Sequence, residues 1–91
     1  MITLNTKIEV NPIDILFLKS HINYTEFLMK SNRKILLSYT MGSFEKRLKA
    51  FNFKRVHRSY LVNMEHVVAT EIDQVILSNG LRIPMSRRKR I

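Results

Sequence analysis

The chain has no cysteine, only two glycines and only two prolines among its 91 residues. Without thiols there is no disulfide framework, no thiolate zinc site and no thiol nucleophile, a composition that fits a reducing cytoplasm. Gly42 and Gly80 alone cannot supply a phosphate-cradling glycine loop or a strained Gly-x-Ser-x-Gly turn. The longest apolar run, Ile15 to Leu18, is four residues, far short of the roughly 20 that a membrane-spanning helix needs. No charged segment followed by an apolar stretch opens the chain, so a secretory signal is not expected. His21, His57 and His66 show no metal-ligand spacing. These absences together argue against an enzyme and against any bound cofactor or metal. Acids are scarce as well: 7 Asp plus Glu against 16 Lys plus Arg leave a formal charge of +9. That excess favours a polyanionic partner, nucleic acid or anionic lipid, and charge alone does not choose between them.

Residues 1–91 suit one domain, and the 45% hydrophobic content is that of a globular chain. Alternation of apolar and polar residues predicts strands over Lys7–Val10, Ile13–Leu18, Ile22–Met29 and Lys34–Tyr39, with Asn11-Pro12 and Lys30–Arg33 as punctuation. Phe44, Leu48 and Phe51 recur at helical spacing. They predict one short helix over about Gly42–Phe51, capped by Ser43 or Thr40, with Glu45 in its first turn. Further strands follow at Arg55–His57, Tyr60–Val62, Val67–Ile72 and Val75–Leu77. Asn79-Gly80 then predicts a two-residue type I′ hairpin returning along Leu81–Pro84. The expectation is a mainly β domain with a single short helix.

The densest chemistry lies in Phe53-Lys54-Arg55-Val56-His57-Arg58-Ser59-Tyr60-Leu61-Val62-Asn63, where guanidinium groups alternate with apolar residues beside two hydroxyls. Half-buried backbone of this kind can hold guanidinium groups against an anion. Composition alone equally allows solvated surface charge. Two features favour a site: Arg58-Ser59 interrupts the alternation as a loop would, and a second basic cluster, Ser86-Arg87-Arg88-Lys89-Arg90, ends the chain. That terminal cluster also reads as a solubilising tail or as a localisation-like basic run, a pattern with many false positives. Lys19-Ser20-His21-Ile22-Asn23-Tyr24 supplies amine, imidazole, amide and phenol suited to base edges or phosphates. By itself it reads more readily as a connecting loop.

Phe-x-Arg-Val-His-Arg-Ser-Tyr-x-Val-Asn, then Asn79-Gly80, then Ile-Pro-x-Ser-Arg-Arg, resembles the C-terminal half of the LytTR family of bacterial DNA-binding domains. The likeness extends back, as a pattern of apolar positions, to Ile13–Leu18 and Asn23-Tyr24. It implies an elongated antiparallel multi-sheet β domain whose loops enter successive major grooves of duplex DNA, bending it, with pairs of domains on direct repeats. Carried over by position, the groove loops are Lys19–Tyr24, the Arg58-Ser59 corner and Ser86–Arg88. Asn23, Arg58 and Arg87 would contact bases, while Tyr24, Arg55, Ser59 and Arg88 would position the backbone through phosphates. Lys19, His21 and Ser86 complete the loops. His57 would brace the corner.

The resemblance also implies a cytoplasmic bacterial transcription regulator, commonly one with a receiver or sensor domain ahead of this module. The strand pattern that begins immediately after Met1 favours an excised domain slightly over a stand-alone binder. The rival reading is a small basic RNA-binding protein, which needs exposed aromatics to stack unpaired bases. Phe17, Phe27, Phe44 and Phe51 occupy core-like positions, leaving Tyr24 as the free ring. A lipid-surface module would need a longer amphipathic helix than this chain offers.

Overall fold

A computed structural model describes residues 1–87. Three antiparallel sheets carry ten strands among these residues: β1 (Ile2–Asn5), β2 (Ile8–Val10), β3 (Ile15–Ser20), β4 (Thr25–Met29), β5 (Lys34–Leu37), β6 (Phe53–His57), β7 (Tyr60–Asn63), β8 (Val67–Thr70), β9 (Gln74–Leu77) and β10 (Arg82–Pro84). The five-stranded sheet runs β5-β4-β3-β7-β6, flanked by a β1-β2 ribbon and a three-stranded β10-β9-β8 sheet. The helix α1 (Met41–Leu48) connects β5 to β6.

Period-2 alternation divides the central sheet's side chains between two cores. On one face Ile15, Leu18, Phe27 and Leu61 pack with Leu4 and Val10 of the ribbon and with Met41, Phe44 and Leu48 of α1. On the other, Leu16, Phe17, Leu28, Val56 and Val62 meet Val75, Leu77 and Ile83 of the small sheet. Leu16 and Phe17 share a face because the β3–β4 register shifts between Ile15 and Phe17, as a bulge requires. Two layers thus cover a sheet whose centre is apolar on both sides, and the molecule measures 38 × 24 × 22 Å.

Several expected boundaries move. Pro12–Asp14 forms a 3₁₀ turn capped by the Asn11 side chain, so β3 begins at Ile15 and runs on through Lys19 and Ser20. The next strand starts at Thr25, and Ile22 is fully solvent-exposed. β8 stops at Thr70, and the strand pattern after Met1 forms β1. The helix begins one residue early, at Met41, and gives way to 3₁₀ geometry over Lys49–Phe51. Thr40 is its N-cap residue without a side-chain cap, and the Ser43 hydroxyl donates to the Thr40 carbonyl at 2.7 Å. Glu45 lies beyond the first turn, and Phe51 is 41% exposed rather than core.

The Asn79-Gly80 hairpin also differs from expectation. Gly80 N–H donates to Leu77 O at 2.8 Å and Leu77 N–H to Leu81 O at 2.9 Å. Gly80 has φ of 88°, and Asn79 is not among the residues with positive φ. That is a three-residue loop ended by a left-handed glycine, not type I′. The β4–β5 turn has the same form, with Asn32 at φ 70° and its N–H on Met29 O.

Candidate nucleic-acid interface

The central sheet gathers the three predicted segments at one end. β3 finishes at Ser20 and β4 begins at Thr25, so His21–Tyr24 forms the loop between them. β6 finishes at His57 and β7 begins at Tyr60, making Arg58-Ser59 the neighbouring corner. Ser20 N–H donates to Ser59 O at 2.9 Å and ties loop to corner. Ser86 N–H donates to Val56 O at 2.8 Å and lays the C-terminal segment beside the outer edge of β6. The strand order therefore sets loop, corner and C-terminal segment in a row. Asn23, Arg58 and Arg87 are exposed along it. Arg88 lies outside the described residues.

Within the first loop, the His21 and Tyr24 rings stack at 4.4 Å and 17°. His21 Nε2 lies 2.9 Å from Glu26 Oε1, a carboxylate that β4 brings to the base of the loop. His21 N–H closes the loop on Tyr24 O at 2.8 Å. Tyr24 is thus half-buried and already stacked, while Tyr39, beyond β5, is the more exposed ring. Lys19 belongs to β3, with its ammonium 5.8 Å from the centre of the Tyr60 ring.

The corner is braced by its own signature residues. Ser59 N–H donates to His57 Nδ1 at 3.1 Å, which leaves the ring proton of the neutral imidazole on Nε2. Arg55 points under the corner rather than away from it. Its Nε donates to His57 O at 3.1 Å, one terminal nitrogen to Glu45 Oε1 at 2.7 Å and the other to Arg58 O. Asn63 is buried, with its amide donating to Pro12 O at 3.2 Å and Ile15 O at 2.9 Å while Oδ1 accepts from Glu65 N–H at 3.0 Å. Val56 and Val62 are core, and Tyr60 packs against the same cluster. Much of the densest motif in the chain is therefore a frame that holds Arg58 outward. Glu45 and Glu26 are the partners sequence reasoning missed.

The model of the LytTr DNA-binding domain matches residues 5–90. The chain belongs to that family. The Transcriptional regulatory protein LytR of Staphylococcus aureus strain N315 is 34% identical over 64 residues, and so is that of strain NCTC 8325 / PS 47. The match covers 63% of this chain and 25% of each relative, so the chain spans about a quarter of their length. A solved LytTr DNA-binding domain from Bacillus cereus superimposes with a TM-score of 0.79 at 27% identity, over 97% of this chain and 87% of that one. The LytTr fold is thus shared over nearly the whole length, and the row of segments lies inside the matched region. No helix among the described residues is long and apolar enough to cross a membrane.

Proposed function

We propose that this LytTr domain binds duplex DNA sequence-specifically, as the DNA-reading part of a bacterial transcription regulator in the cytoplasm. One observation supports the reading above others. The backbone bonds Ser20–Ser59 and Ser86–Val56 align three segments at one sheet end, each offering an exposed side chain that pairs with base edges: Asn23, Arg58 and Arg87. Phosphates are drawn by the +9 charge. Successive major grooves on one face of B-form duplex lie about 34–36 Å apart. The row of segments spans only a few strand spacings of roughly 4.8 Å. For its outer members to reach both grooves the duplex must curve toward the protein, which is the proposed bend. Direct-repeat sites occupied by pairs of domains belong to the same reading.

An RNA-binding role draws less support. Tyr24 is engaged by His21, and Tyr39 lies edge-on to Phe44 at 6.0 Å, so neither of these two rings offers an open face of the kind that stacks unpaired bases.

The test begins with selection from a random duplex library by the wild-type domain. Gel-shift titrations then compare the recovered duplex with a scrambled duplex, single-stranded DNA and a structured RNA. The recovered duplex should bind at least about a hundredfold more tightly than the scrambled one. Equal affinity for all four, or tighter binding of the RNA, overturns the proposal.

A further inference from the structure

We propose that Arg55 acts as a positioning residue that fixes the aim of Arg58, and that Glu45 of α1 is an obligatory part of that device. The inference rests on the DNA-reading function above and assigns Arg55 a role other than contact with phosphate. All three guanidinium nitrogens have acceptors within the protein: the carbonyls of His57 and Arg58, and the Glu45 carboxylate at 2.7 Å. The planar fork is needed because the acceptors lie on two different elements and a guanidinium presents five N–H groups in one plane. The Arg55 side chain is only 22% exposed, and it sits on the α1 side of β6, opposite the face that carries Val56. The register shift between Arg55 and His57 bends β6 at this point, as bulges do beside functional sites. The corner carbonyls turned toward Arg55 are satisfied there, and Arg58 itself is directed to solvent. Glu45 holds the other side of the fork, so the pose of Arg58 depends on a helix that lies beyond the corner itself.

Two substitutions separate positioning from phosphate contact. Glu45→Gln replaces the charge-assisted bond to Arg55 by a weaker neutral one and so loosens the guanidinium. If Arg55 served a phosphate, the variant would bind every duplex more tightly. The positioning role predicts the reverse for specificity: a loss of about tenfold in the preference for the selected duplex over the scrambled one. Arg55→Lys keeps the charge but not the fork, and should lose a similar factor. Glu45→Gln should leave the salt dependence of binding to scrambled duplex unchanged, whereas an Arg55 freed onto a phosphate would raise that log–log slope by about one. Both are measured by competition gel shift, with thermal melting to confirm folding. If Arg55→Lys does not fold, the Glu45→Gln result decides alone. A wild-type specificity ratio in Glu45→Gln, or a slope raised by about one in that variant, overturns the inference. Failure of the DNA-reading function would show instead in the wild type, which would then select no duplex.

Discussion

Ser20 donates its backbone N–H to the carbonyl of Ser59 at 2.9 Å, and this bond fastens the β3–β4 loop to the β6–β7 corner. It continues a ladder in which Phe17 faces Val62, Leu18 faces Leu61 and Lys19 faces Tyr60. All but Lys19 and Tyr60 of those residues are core. Two exposed segments, 34 or more residues apart in the chain, therefore move as one body with the centre of the sheet. A duplex that met this end would encounter a prearranged surface, with little ordering cost at the backbone.

Salt should reveal the electrostatic part of binding. With about 4–8 phosphates neutralised, the logarithm of the association constant for duplex should fall against the logarithm of salt with a slope of similar size. Titration across low to physiological salt measures it. A flat response would mean that the +9 charge does not serve nucleic acid.

Leu48 and Lys49 are adjacent but face opposite environments: Leu48 is fully buried against the sheet and Lys49 is exposed at the end of α1. Leu48→Ala should cost about 2–4 kcal/mol of folding stability, from lost transfer energy plus a cavity. Lys49→Ala should stay within about 0.5 kcal/mol of wild type, as surface changes do. Denaturant titration of both variants is the check, and equal losses would contradict this packing of α1.

Strand existence was legible from β-branched and aromatic content and from short apolar runs, since a sheet covered on both faces leaves its central strands continuously apolar, as Ile15–Leu18 is. Boundaries were less so. The Leu16–Phe17 bulge and the Pro12–Asp14 turn are settled by tertiary register, which alternation does not encode. Ile22 looked like the start of a strand, but residues His21–Tyr24 close on themselves instead. The motif around Arg58 identified a place correctly as a corner and left the division of labour within it unread. Arg55 and Asn63 are chemically suited to ligands, yet their partners are Glu45 and the carbonyls of Pro12 and Ile15. Those pairings arise only when α1 and the 3₁₀ turn pack on the sheet, so the local sequence carries no sign of them.

Asn63 gives that point a measurable form. Asn63→Ala strips two carbonyls and the Glu65 N–H of their partner in a buried place. Unsatisfied buried groups cost roughly 1–3 kcal/mol each, and partial access of water to the turn should hold the sum to about 2–4 kcal/mol. Folding stability by denaturant titration should show this loss. If the variant matched wild-type stability, Asn63 would have no structural role and its amide would become a candidate for another one.

Arg58 and Arg87 carry the sharpest prediction, because base reading and phosphate anchoring leave different traces. A guanidinium held bidentate to guanine contributes about 1–3 kcal/mol of discrimination, whereas a phosphate contact strengthens all sequences alike and adds about one to the salt slope. Both side chains are exposed on the row of segments, so alanine at either position should leave folding intact. Arg58→Ala and Arg87→Ala should each abolish most of the preference for the selected duplex over the scrambled one. Arg33 is the control: it is exposed in the β4–β5 turn, and β4 runs from Thr25 beside the row to Met29 at the far end. Arg33→Ala should leave both the specificity ratio and the salt slope close to wild type. Competition binding of the three variants, with circular dichroism to confirm the fold, decides the matter. If the Arg58 and Arg87 variants kept the wild-type ratio and lost only slope, both would be phosphate anchors, and the reading of bases would fall to other side chains of the row.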